Sequence, residues 1–83
     1  MKYTIQQATR DFHLGILKGF NFVEVPMLNG WAIQFEANLG MLGNPYLTGS
    51  RSADPRIFTT LKSALSTVRK TGFKADYFGF RSK

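Results

Sequence analysis

Residues 21–38 read NFVEVPMLNGWAIQFEAN, and the way this stretch folds back on itself decides the fold. Two apolar runs flank Asn29-Gly30, and Asn-Gly between such runs is the strongest short-range hairpin signal, because both central residues of a type I′ turn need positive φ. A two-residue turn pairs Leu28 with Trp31 and Glu24 with Phe35, placing Phe22, Leu28, Trp31, Ile33 and Phe35 on one face. The same register puts Glu24 on that apolar side and turns Val23 and Val25 away from it. Pro26 has no N–H to give a ladder, so a bulge or an edge is expected there, bringing the valines back toward the core.

On the N-terminal side, Thr4 and Gln7 have the spacing of a capping box, and Ile5, Ala8, Phe12 and Ile16 recur on one helical face. Gly19 is a natural stop, so a helix over roughly residues 5–18 is expected, with Leu14 projecting from its far side. On the C-terminal side, the glycine-rich "NLGMLGNP" leads to a short strand around Tyr46–Thr48, and "GSRSADP" reads as a loop. Thr59 or Thr60 then caps a second helix. Its Leu61, Ala64, Leu65 and Val68 follow the i, i+3, i+4, i+7 stripe of a docked helix, and Gly72 ends it. "FKADYFGF" reads as a closing strand. The order is α-β-β-β-α-β, an α+β domain with two helices on one face of a small antiparallel sheet.

One such domain accounts for the whole chain of 83 residues, whose 43% apolar and 14% aromatic content suffices for a single core. With no cysteine there is no disulfide framework and no Cys-based metal site. The stretch "MKYTIQQATRDF" lacks the apolar centre of a signal peptide and no run is long enough to span a bilayer, so a soluble, cytoplasmic protein is expected. Catalytic constellations are sparse: His13 is the one histidine, and the five carboxylates are scattered. The glycines form neither GxGxxG nor a Walker loop. The expectation is a non-enzymatic protein without cofactor or metal.

Charge carries more information. The net charge is +6, residues 1–50 are balanced, and the entire excess falls in residues 51–83. Clustered positive charge gathers phosphates, whereas evenly mixed charge mainly keeps a protein soluble. Arg51 and Arg56 precede the second helix, whose start is free of acids. Lys62, Arg69 and Lys70 lie on its flank, and Lys74, Arg81 and Lys83 follow on the last strand. Tyr77, Phe78 and Phe80 alternate with these last cations, a pattern that suits stacking beside phosphate contacts as well as simple packing. DNA or RNA is therefore the first candidate partner, with Arg51, Arg56, Lys62, Arg69, Lys70, Lys74 and Arg81 as contact residues. The alternative is a host protein or ribonucleoprotein bound by an inhibitor or adaptor, such as an anti-CRISPR factor.

Leu28-Asn29-Gly30-Trp31, then Phe58, Thr60, Leu61, Ala64 and Gly72, form a pattern that resembles small plasmid- and phage-encoded proteins described as plasmid replication proteins. The resemblance covers roughly two-thirds of the chain and consists mainly of packing and turn positions. It implies an origin on a mobile element and carries over no catalytic residue.

Overall fold

The computed structural model describes residues 2–37 and 44–73. Helix α1 spans Ile5–His13, strand β1 Leu17–Val25, strand β2 Gly30–Ala37 and helix α2 Leu61–Thr71. The two strands form an antiparallel sheet, with α1 packed on β1, α2 on β2 and the helices against each other. The class is thus α+β, as expected, but the expected order of four strands is not matched.

Both helix starts follow from their caps. Thr4 Oγ1 accepts from Gln7 N at 3.3 Å while Gln7 Oε1 accepts from Thr4 N at 2.8 Å, the reciprocal box read from the sequence. Thr60, rather than Thr59, caps α2 by accepting from Ser63 N at 3.1 Å. The end of α1 differs from the expectation. The helix stops at His13, five residues early, because Gly15 takes φ +79°. Gly15 N donates to Phe12 O and Ile16 N to Asp11 O, the paired bonds of a Schellman closure. Leu14 is exposed as expected, here as the C-cap residue.

The hairpin turn is longer than two residues. Val25 pairs with Gly30, Glu24 with Trp31, Phe22 with Ile33 and Phe20 with Phe35. Pro26–Leu28 form a 3₁₀ turn, and Asn29 alone takes the left-handed conformation, φ 52°. Pro26 explains the shift: its fixed φ suits the first position of such a turn, and its missing N–H would leave a ladder position empty. The partner of each β1 residue moves by four positions along β2, an even number, so the faces stay as read. Phe22, Ile33 and Phe35 are buried and Trp31 half-buried, while Leu28 leaves the sheet altogether. No bulge forms at Pro26, and the one register shift lies between Leu17 and Gly19. Val23 and Val25 keep to the far face.

The strand expected around Tyr46–Thr48 is reduced to isolated bridges, Gln34 with Tyr46 and Thr48 with Pro55. Phe35 N donates to Pro45 O and Leu47 N to Ile33 O, but Pro45 has no N–H to return, so the pairing stops there. Farther along the same edge of β2, Trp31 and Phe58 exchange both backbone bonds at 2.7 and 2.8 Å. Two short segments thus cover one strand edge, tied together by Arg56 N donating to Leu47 O and to the N-terminus by Thr48 N donating to Tyr3 O. The closing strand, "FKADYFGF", falls almost wholly outside the described residues. Phe73, which is described, packs edge-on against Phe12 and Phe20, with ring centroids at 4.6 and 5.2 Å.

The core gathers Tyr3, Ala8, Leu17, Phe22, Ile33, Phe35, Leu47, Phe58, Ala64 and Val68 between helices and sheet. On α2 the expected stripe is rotated: Val68 and Ala64 are buried, but so are Thr67 and Thr71, while Leu61 and Leu65 are half-buried. The threonines are tolerated because each hydroxyl donates within its own helix, Thr67 to Ser63 O and Thr71 to Val68 O.

Candidate nucleic-acid interface

α2 docks through one side, which leaves the adjacent row Lys62, Ser66, Lys70 in solvent at successive i, i+4 positions. Facing this row runs the extended segment that pairs with Trp31. Between them lies an open groove of about 550 Å³ lined by Arg56, Ile57, Phe58, Thr59, Lys62, Ser63, Ser66, Thr67 and Lys70. Among the described residues no acid lines it. Three cations therefore meet from two elements that are distant in sequence, and none of them has a carboxylate partner among the described residues. At 1.5 Å per residue, Lys62 and Lys70 stand about 12 Å apart along the helix, so they address different phosphates of one strand.

Arg56 is held in place. Its guanidinium lies over the Phe58 ring, 4.8 Å from the centroid, and its backbone N–H is tied to Leu47. Stacking on an aromatic face orients the donor fork before any ligand arrives, which an ammonium on a flexible stem does not achieve as well. The ring itself is closed off at 6% exposure. The exposed hydroxyls of Thr59, Ser63 and Ser66 offer further phosphate donors, whereas buried Thr67 already donates to Ser63 O.

Of the residues expected to contact nucleic acid, Arg56, Lys62 and Lys70 come together in this groove. Arg51 lies exposed in the loop before it. Arg69 is exposed but does not line the groove, because its position on α2 sets it one step around the helix from Lys70. Lys74, Arg81 and Lys83 lie outside the described residues, as do Tyr77, Phe78 and Phe80. The groove hydroxyls and the Phe58 platform were not picked out from sequence. A signal for the platform was present, since Arg56 and Phe58 are two apart in an extended segment and so share a side.

On the other face of the sheet, Val23, Val25, Leu28, Ala32, Tyr46, Asp54, Pro55 and Ile57 line an apolar cleft of about 480 Å³. At its margin the hairpin tip exposes Met27 at 94% and Leu28 at 59%. Nothing in the sequence reading anticipated this cleft, although valines alternating with core phenylalanines mark a strand that is apolar on both faces.

One buried ionisable pair stands apart from both surfaces. Tyr3 donates to Asp11 Oδ2 at 2.7 Å, and burial, reinforced by that bond and the carboxylate charge, pushes the phenol well above its ordinary value. Arg10 Nε approaches Asp11 Oδ1 at 3.3 Å. Among the described residues no three of His, Cys, Asp and Glu gather as metal ligands, and no helix is long and apolar enough to cross a membrane. Comparison with protein-family models, with curated proteins and with solved structures gives no match.

Proposed function

We propose that this chain is a non-enzymatic nucleic-acid-binding accessory protein that grips phosphates in the groove between α2 and the Arg56–Phe58 segment. The observation that carries this reading is the convergence of Arg56, Lys62 and Lys70 on a groove with no acid among its described lining residues, with Arg56 already oriented by Phe58. Cations spread for solubility alone need no such convergence. The resemblance to plasmid replication proteins supports a role on a plasmid or phage, and Arg51, Lys74 and Arg81 extend the basic surface in sequence.

The test is the salt dependence of binding to labelled mixed-sequence DNA and RNA. Three phosphate contacts give a slope of log K against log salt of about −2.7 on a duplex, or roughly a 40-fold loss between 50 and 200 mM salt. Lys62→Gln with Lys70→Gln should lower that slope by about 1.8, while the charge-matched Lys2→Gln with Lys18→Gln, at exposed positions outside the groove, should leave it nearly unchanged. Equal effects from the two pairs would reject the groove as the site.

The apolar cleft favours a second reading, an inhibitor or adaptor that binds a host protein or ribonucleoprotein, such as an anti-CRISPR factor. Exposed Met27 and Leu28 beside Val25 and Ile57 have the composition of a protein contact. If this reading holds, Leu28→Ser should abolish capture of one stoichiometric protein and leave nucleic-acid affinity intact.

A further inference from the structure

Independently of what the groove holds, we infer that the apolar cleft is filled by a second copy of this chain, Met27 of each copy entering the cleft of the other in a two-fold pair. A contact related by a two-fold axis uses one patch twice, so that patch must carry both a protrusion and the hollow that receives it. The cleft face carries the two side by side. Its hollow, about 480 Å³ between Val23, Val25, Leu28 and Ile57, falls in the range of roughly 300–1,000 Å³ in which pockets hold whole ligands, so it admits a methionine without crowding. The protrusion is Met27, 94% exposed and next in the chain to Leu28, which lines the hollow. Met27 rides on a turn already set by the fixed φ of Pro26 and the left-handed Asn29, so little backbone order is lost on docking. Its unbranched side chain adapts to an irregular apolar wall.

Charge at the other side of the hollow is complementary to itself. The loop closed by the bridge between Thr48 and Pro55 carries Arg51 and Asp54, both exposed, and Asp54 lines the cleft. A two-fold axis beside this loop sets Arg51 of one copy against Asp54 of the other and repeats the pair in reverse. A foreign protein would have to match the protrusion, the hollow and both charges, whereas a second copy matches all of them by symmetry. Placing opposite charges at the rim also eases the approach of two chains that each carry +6. Arg56, Lys62 and Lys70 line the groove and not the cleft, so docking through the cleft keeps those cations away from the contact.

Sedimentation equilibrium of the full chain without nucleic acid tests the pairing, over about 5 to 500 µM, which spans weak to ordinary dissociation constants. The average mass should rise from that of one chain toward that of two and stop there. Met27→Asp and Leu28→Ser, both at exposed positions, should each weaken association tenfold or more, and thermal melts matching the parent would show that they fold. Arg51→Asp and Asp54→Arg should each weaken it threefold or more, although they shift the net charge in opposite directions. The double reversal should restore it to within twofold of the parent. These reversals lie in an exposed loop and read the same contact should an apolar variant fail to fold. A chain that stays single over the whole range overturns the inference and leaves the cleft to a foreign protein. A mass that passes beyond two overturns the closed two-fold pair. Association untouched by Met27→Asp puts the contact elsewhere, and a double reversal no better than the single ones overturns the symmetric pairing that selects a second copy.

Discussion

The basic groove and the apolar cleft lie on either side of one extended segment, Pro55–Phe58, and Ile57 lines both. Alternation along that segment does the sorting. Arg56 and Phe58 turn toward α2, and Pro55 with Ile57 helps to close the cleft beside Val23 and Val25. Among the described residues one surface holds cations and hydroxyls with no acid, and the other is mostly aliphatic with Asp54 at its side. Two surfaces of opposite chemistry thus depend on a single edge segment, and that segment depends on Trp31 and Leu47 for its backbone bonds. Damage to it should spoil both, whereas damage to either surface should spare the other.

The most severe break is Phe58→Ala. It removes a buried core ring and the platform under Arg56, so a loss of about 3–5 kcal/mol is expected, a large share of what a domain this small possesses. Urea unfolding would show it, and a cost below 1 kcal/mol would mean that the segment is not seated in the core. Gly30→Val comes next, for a reason the sequence did not reveal. The residue's φ is ordinary, but a Cβ there would sit 2.4 Å from Ile57 Cγ2 and 2.7 Å from Phe58 O. The segment must move away, at about 2–3 kcal/mol, and the melting temperature should fall by roughly 10 °C or more. An unchanged melting temperature would place the segment elsewhere.

A smaller effect tests how the N-terminus backs this edge, since Tyr3 binds Thr48 through its main chain and Asp11 through its phenol. The Tyr3 phenol titrates above its ordinary value in the fold, so the proton is held more tightly folded than unfolded. The stability this contributes is complete below about pH 10 and is lost as pH rises further. Tyr3→Phe should cost about 1–2 kcal/mol at neutral pH by depriving buried Asp11 of a donor. It should also flatten the alkaline decline, and an identical decline in the variant would count against the bond. The least perturbing comparison is Arg69→Gln with Lys70→Gln, measured singly. Both lie in the last turn of α2, where a cation favours the helix by about 0.3–1 kcal/mol, so their stabilities should match. Only Lys70→Gln should weaken nucleic-acid binding, because only Lys70 lines the groove.

Local chemistry was legible in the sequence and pairwise geometry was not. Thr4 with Gln7, the cap before Leu61 and the stop at Gly72 are decided within a few residues of chain, and they stand as read. The parity of the hairpin survived an error in its register because any even shift keeps Phe22 and Ile33 on the same face. The end of α1 was misplaced because Ile16 prolongs the apolar period past the point where Gly15 breaks the backbone. Of the groove, the cations were legible because charge is written in the composition. Which of them converge was not, since Arg56 faces Lys70 only through the pairing of Phe58 with Trp31. Arg69, equal to Lys70 in charge and neighbouring in sequence, falls outside for want of one helical step.

The broken cover on β2 has a consequence for how these molecules meet in a crowded solution. An open strand edge offers its amides and carbonyls to any passing chain and so seeds growth from molecule to molecule. Here Trp31 and Phe35 have spent their N–H groups, and Trp31 and Ile33 their carbonyls, on segments of the same chain. Pro45 and Pro55 keep those covering segments too short and too poor in donors to hand the pairing on. The prolines that frustrate a longer third strand therefore also cap this side of the sheet, so that concentration alone does not extend it into a fibre from that edge.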